Sequence, residues 1–175
     1  HMIKLPEECT HEDYATLFEF WRSACTSDED CPKLRALNLM DVYLIAPRLV
    51  IIDVEGDAPD RRFRWRYAGT GIRYLTGVEM TNRYADEMFT NHAREQCNAV
   101  YGGICDTGQP HFWHYSVSLQ DSRLSYREYG RLLLPVMDDD GKVSHLIGVY
   151  VYSLDLTRPE TEDSKKPMIS IEPIT

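Results

Sequence analysis

The stretch RFRWRYAG, residues 62–69, restricts the fold of this chain more than any other. Arg62, Arg64 and Arg66 fall on one parity, and Phe63, Trp65 and Tyr67 on the other. A two-residue period belongs to a β-strand, whose successive side chains point to opposite faces. One face is then basic and wet, the other aromatic and buried. Immediately upstream, RLVIIDVEG is a nearly continuous β-branched run, the pattern of a strand buried on both faces. It ends in the turn-rich EGDAPD, so the two strands form a hairpin. An isolated hairpin is marginally stable in water. The rest of the chain must supply further strands and covering helices.

The N-terminal THEDYATLFEFWRSAC reads as a helix, with Thr10 as N-cap and Glu12 and Asp13 favoured in the first turn by the helix dipole. Tyr14, Leu17, Phe18 and Trp21 recur at i, i+3, i+4 and i+7. That large aromatic face must cover either its own sheet or a partner chain. TSDEDCPK is a polar loop, and LRALNLMDVYLIA reads as a second short helix stopped before Pro47. After the hairpin, GIRYLTGVEMTNRYADEMF loses the two-residue period and reads as short helical turns. NHAREQCNAVYGGICDTGQP reads as a helix with Cys97, Val100, Tyr101 and Ile104 on one face, ended by Gly108 and Pro110. Three strands follow. HFWHYSVSL sets Phe112 and His114 against Trp113, Tyr115, Val117 and Leu119, and YREYGRLLLPVM and KVSHLIGVYVYSLDL flank the turn DDDG. This order predicts an α+β fold, an antiparallel sheet with helices packed on one face.

Basic residues interleaved with aromatics also suit nucleic-acid binding, but a stacking platform presents both on one surface. A strand separates them, and a formal net charge of −9 opposes a polyanionic partner. No nucleic-acid or membrane partner is expected; no apolar stretch approaches the length of a membrane span. His1-Met2 reads as an expression remnant and no signal peptide is visible. The five cysteines, Cys9, Cys25, Cys31, Cys97 and Cys105, are odd in number and form no C-x-x-C pair. That suits a reducing cytoplasm better than a disulfide framework or a zinc site. MDDDG lacks a full calcium loop. There is no H-E-x-x-H, P-loop, G-x-G-x-x-G or G-x-S-x-G, so no catalytic or metal residues are assigned. At 175 residues and 43% hydrophobic content, one domain with a substantial core is expected.

Specific residues carry a resemblance to the PAS-domain family. GIRYLTGVEMTNRYADEMF resembles the PAS segment A-x-x-L-x-G-y-x-x-x-E-L-x-G. GKVSHLIGVYVYSLDLT resembles the last PAS strand, where a glycine precedes a hydrophobic run and an Asp-Ile-Thr-like ending is matched by Asp155-Leu156-Thr157. CPKLRALNLMDVYLIAPRLVIIDVE, RFRWRYAGTGI and YREYGRLLLPV resemble compact stand-alone bacterial PAS proteins. The resemblance runs from Trp21 to Thr157. It implies a five-stranded antiparallel sheet in order 2-1-5-4-3, a helical palm over one face, a ligand cavity between them, and an N-terminal flanking helix. It divides the chain into an N-terminal arm (1–9), a helical extension (10–46), a PAS core (47–157) and a flexible tail (158–175). The implied function is sensory: binding a small hydrophobic or amphipathic ligand and acting through homodimerisation or a separate signalling effector. Tyr14, Leu17, Phe18 and Trp21 would form the dimer interface. Two alternatives stay open. One is a ligand-free interaction module. The other is a small cone-shaped isomerase or hydratase, which the early hairpin disfavours and a buried Asp beside a Tyr would revive.

The resemblance also implies a ligand site. Tyr150, two residues after Gly148, points into the PAS cavity. By parity Tyr129 and Arg131 join it from the preceding strand, Trp113 and Tyr115 from the strand before, and Trp65 and Tyr67 from the hairpin. Cys97 and Tyr101 line the helical wall. Arg131 is the sharpest of these, because a guanidinium on the cavity side is costly without an anion. The anion is either an acid of the chain, such as Glu128 or Asp53, or a ligand carboxylate. Haem is not expected: His92 sits at the exposed start of the long helix, while His111, His114 and His145 lie on or near strands. Flavin photochemistry is not expected either, because the reactive-cysteine motif N-C-R-F-L-Q is absent and the equivalent NRYADEM has no cysteine. Cys97 and Cys105 lack a base or cation and read as packing residues.

Overall fold

The computed structural model describes residues 4–7, 9–76, 78–116 and 126–154. Helix α1 (Glu12–Ser23) is followed by two short 3-10 segments (Leu34–Ala36 and Leu39–Arg48) and the hairpin β1 (Leu49–Glu55) and β2 (Arg62–Ala68). Then come α2 (Thr70–Thr76), β3 (Arg83–Tyr84), α3 (Ala85–Met88), α4 (Asn91–Thr107), β4 (His111–Ser116), β5 (Tyr126–Met137) and β6 (Val143–Leu154). The sheet is antiparallel, in order β3-β2-β1-β6-β5-β4. It therefore has six strands, where sequence reading expects five. The sixth is the two-residue β3, which pairs Tyr84 with Arg64 and Arg83 with Trp65. Without β3 the remaining five strands stand in the anticipated order 2-1-5-4-3. Nor is β2 an open edge, since β3 covers part of it.

Both faces of the sheet carry a buried cluster. The inner face carries Val50 and Ile52 of β1, Phe63 and Trp65 of β2, Leu133 of β5, and Leu146 and Tyr150 of β6. Ile72 of α2, Ala85 and Met88 of α3, and Cys97, Tyr101 and Ile104 of α4 cover it. The outer face carries Leu49, Leu132, Leu134, Val136, Ile147 and Val149, covered by α1 and the longer 3-10 segment through Val42 and Ile45. Strand alternation produces the two sets: along β5, Leu132 and Leu134 face out and Leu133 faces in.

Helix α1 shows where its aromatic stripe goes. Tyr14, Leu17, Phe18 and Trp21 are 3%, 0%, 3% and 1% exposed and pack on the outer face of the same chain's sheet. The Trp21 indole N–H donates to the Pro135 carbonyl at 2.7 Å. These four side chains, expected at a dimer interface, are thus core residues of the protomer. The N-cap is His11 rather than Thr10: its Nδ1 accepts from the Asp13 amide at 3.0 Å. Arg48 clamps the helix start to the 3-10 segment by an ion pair with Asp13 at 3.0 Å. The segment read as a second helix is 3-10, includes Pro47, and kinks at Val42. Helix α4 ends as anticipated, with Gly108 at φ +67°. The tail at 158–175, the ending Asp155-Leu156-Thr157, and Val117 and Leu119 lie outside the described residues.

Candidate functional site

The inner face presents an aromatic row that runs across the strands. Trp113 of β4 meets Tyr129 of β5 at 5.6 Å between ring centroids, Tyr129 meets Tyr150 of β6 at 6.0 Å, and Tyr150 meets Trp65 of β2 at 5.6 Å. Tyr152 joins Tyr129 at 4.9 Å, and Phe89 closes on Trp65 at 6.3 Å. Helix α4 lies above the row. Its Tyr101 hydroxyl is 3.4 Å from that of Tyr150, and its ring meets Phe63 edge-on at 5.2 Å. Arg61 holds α4 in place by an ion pair with Asp106 at 2.6 Å and a hydrogen bond to the Gly102 carbonyl. Gly148 leaves room for the neighbouring strand: a Cβ there would lie 2.7 Å from the Leu132 carbonyl and 3.1 Å from Val50.

Arg131 lies within this layer, 4% exposed, paired across the ladder with Tyr150 and Trp113. Its Nε donates to His111 Nε2 at 3.3 Å, and the hydroxyls of Tyr129 and Tyr150 lie beside the guanidinium. Burial, with the Arg131 charge second, lowers the His111 pKa to about 4. His111 is therefore a neutral acceptor at neutral pH. Burial raises Tyr101 and Tyr150 above the ordinary phenol range and pushes the Cys97 thiol up to about 12. All three are neutral, so Cys97 is no nucleophile. No carboxylate of the described residues lies within ion-pair distance of Arg131. A second polar group in the layer is also uncompensated: the Trp65 indole N–H, in a side chain 1% exposed, has no hydrogen-bond partner among the described residues.

Of the nine residues expected at a ligand site, the structure brings Trp65, Cys97, Tyr101, Trp113, Tyr129, Arg131 and Tyr150 to this inner layer. Tyr115 pairs with Tyr129 in the ladder, but its side chain lies outside the described residues. Tyr67 is a correction. The β1–β2 register slips between Ile51 and Ile52: Ile51 faces Tyr67, whereas Ile52 faces Trp65. The extra residue is a β-bulge, which turns the strand by one position. Tyr67 thereby joins the outer core and donates to the Ala46 carbonyl at 3.1 Å. Sequence reading also missed His111 as the partner of Arg131. Its shared parity with Trp113 was the available signal.

Asp53, one of the acids offered as a partner for Arg131, belongs to the other face. It is 7% exposed and accepts from Arg66 Nε at 2.8 Å and Arg64 at 3.4 Å, with His145 Nε2 at 3.4 Å. Arg62 makes a bidentate pair with Asp86 at 2.7 and 2.8 Å, its guanidinium 3.7 Å from the Tyr84 ring centroid. The three arginines of the opening stretch are thus bound to acids of the chain. Glu128, the other candidate, has its side chain outside the described residues. The buried acids among the described residues, Asp13 and Asp53, are both ion-paired with arginine on the outer side. Neither of these acids joins Tyr101, Tyr129 and Tyr150 in the inner layer, where the isomerase reading would need one. Nor do the described residues gather three or more His, Cys, Asp or Glu side chains able to hold a metal, and no described helix is long and apolar enough to cross a membrane.

The family profile described as PAS domain matches residues 9–151. No curated protein matches the chain. Similar solved structures include the PAS domain of BvgS from Bordetella pertussis, at 15% identity and a TM-score of 0.45, covering 65% of this chain and 84% of that one. The N-terminal domain of a diguanylate cyclase with PAS/PAC sensor from Marinobacter aquaeolei is 17% identical, with a TM-score of 0.40, covering 60% and 94%. The light-state structure of the blue-light photoreceptor Aureochrome1 LOV is 16% identical, with a TM-score of 0.41, covering 64% and 85%.

Proposed function

Because the chain belongs to the PAS-domain family, we propose that it is a sensory and signalling module whose inner layer binds a small hydrophobic or amphipathic molecule. The observation that carries the reading is the placement of Arg131, neutral His111, the Tyr101–Tyr150 hydroxyl pair and the Trp65 N–H between α4 and the sheet. A core that only needs filling favours aliphatic side chains without polar atoms. A binding site combines apolar walls with a few converging polar groups, and this layer has that composition. Catalysis is not assigned. Output passes through self-association or a separate effector, and the domain limits proposed are 10–46 for the helical extension and 47–157 for the PAS core.

The competing reading is a ligand-free interaction module, in which the aromatic row only fills the core. Native mass spectrometry of gently purified protein, followed by denaturation and extraction, separates the two. The sensor reading requires a small molecule that leaves on denaturation, stabilises the emptied protein when returned, and alters its size by light scattering or its capture of an effector. A folded protein that releases nothing and is stabilised by no member of a metabolite library refutes it.

A further inference from the structure

Resting on the ligand-binding reading above, we infer that the molecule held in the inner layer is a small aromatic carboxylic acid, bound as its anion. Its carboxylate would sit on Arg131, and a further acceptor atom would take the Trp65 indole N–H. Three observations combine to give this chemical class. First, Arg131 is a guanidinium 4% exposed, charged at every relevant pH. Its contacts among the described residues are neutral: His111 through Nε2 and the hydroxyls of Tyr129 and Tyr150. Neutral dipoles can satisfy its N–H groups, but they do not cancel a buried charge. The buried acids among the described residues are taken by Arg48 on Asp13 and by Arg64 and Arg66 on Asp53.

Second, the indole N–H of Trp65, in a nearly fully buried side chain, is a donor without an acceptor among the described residues. Buried donors are paired in the great majority of cases. Tyr150 stands between the two groups, facing Arg131 across the ladder and touching the Trp65 ring. One ligand lying along Tyr150 would then serve both ends. Third, the walls are aromatic rings that already meet edge-on or tilted. Such rings favour a flat aromatic body over a flexible alkyl chain. A guanidinium binds a carboxylate through two parallel hydrogen bonds, which fixes the ligand's orientation as well as neutralising the charge.

The test uses the full chain, freed of any extracted molecule, and three matched pairs of probes: phenylacetate, 4-hydroxyphenylacetate and indole-3-acetate, each against its neutral amide. Calorimetric titration should show at least one acid binding about tenfold or more tighter than its isosteric amide. Arg131→Met should remove that discrimination. If Arg131→Met does not fold, Arg131→Gln, which keeps donors and removes the charge, gives the same readout. Trp65→Phe should weaken 4-hydroxyphenylacetate, the probe that carries an acceptor atom besides its carboxylate, while leaving the acid-over-amide preference in place. Equal binding of acid and amide, or a preference that survives at Arg131→Gln, overturns the anion assignment. The sensor reading then still stands, because in both cases a small molecule binds. Failure of all six probes, together with an extraction that yields no small molecule, overturns both.

Discussion

Leu17→Ala tests whether α1 belongs to the folding unit or is a detachable flank. Leu17 is 0% exposed, within an outer core that includes Leu132, Leu134 and Val149 of the sheet. Truncating a fully buried leucine removes its transfer free energy and leaves a cavity that the surroundings fill only in part, at a cost of about 3–5 kcal/mol. For a chain of this size each kcal/mol shifts the melting temperature by about 2–4 °C, so the expected fall is roughly 6–20 °C. Glu19, on the same helix but exposed, provides the control: Glu19→Ala should stay within about 0.5 kcal/mol of the parent. The assay is thermal and urea unfolding followed by circular dichroism, at low and high protein concentration. If α1 covers its own sheet, the loss is independent of concentration, because no association is being broken. A Leu17→Ala protein melting within about 2 °C of the parent, or one rescued at high concentration, would refute the reasoning.

Three further outcomes follow from single contacts. A Cβ at Gly130 would collide with the Tyr14 hydroxyl oxygen, so Gly130→Ala should cost about 1–3 kcal/mol. Adding Tyr14→Phe removes that oxygen and should recover most of the loss, a coupling that urea midpoints of the double-mutant cycle would measure. His111 has its pKa lowered to about 4 by burial and then by Arg131. The unfolded chain takes up a proton that the folded chain refuses, so stability falls as pH drops from 6.5 toward 4, by about 2–3 kcal/mol in all. His111→Gln should flatten that limb of a melting-temperature profile. His145, also lowered by burial, would leave a residual slope of the same sign. Asp53→Asn removes the shared carboxylate charge from Arg64 and Arg66 and should destabilise by about 1–3 kcal/mol, read as a lower urea midpoint.

The architecture was legible because its signals were periodic. Alternation at 62–67 and the β-branched run at 49–54 give the hairpin, and the helix at 91–107 ends on the glycine that its left-handed conformation requires. Strand parity was enough to place Tyr129, Arg131 and Tyr150 together, since β5 and β6 pair without a register slip between those residues. Cys97 and Tyr101, four apart on a helix, had to share a face. The destination of the α1 stripe was not legible. An apolar face at helical spacing reports that something covers it, and a sheet of the same chain or of another satisfies that equally well.

The misplacement of Tyr67 shows where parity reasoning stops. Period-two logic holds only while each residue on one strand opposes one residue on the next, and a one-residue slip reverses every assignment beyond it. Here the slip falls between Trp65 and Tyr67. Phe63 and Trp65 therefore obey the rule, and Tyr67, next in the same series, does not. Nothing in RFRWRYAG marks the bulge, because no glycine or proline falls between Trp65 and Tyr67. The cause is tertiary. Tyr67 reaches the Ala46 carbonyl and the outer core, while Ala68 is buried with the inner core. A bulky ring and a small methyl have exchanged faces at the point where the chain turns into α2. Arg66, the residue skipped in the pairing, turns its guanidinium onto Asp53. The slip thus removes one aromatic from the inner layer, while Asp53, which the alternation of β1 sets on the outer side, pairs with Arg66 there and not with Arg131.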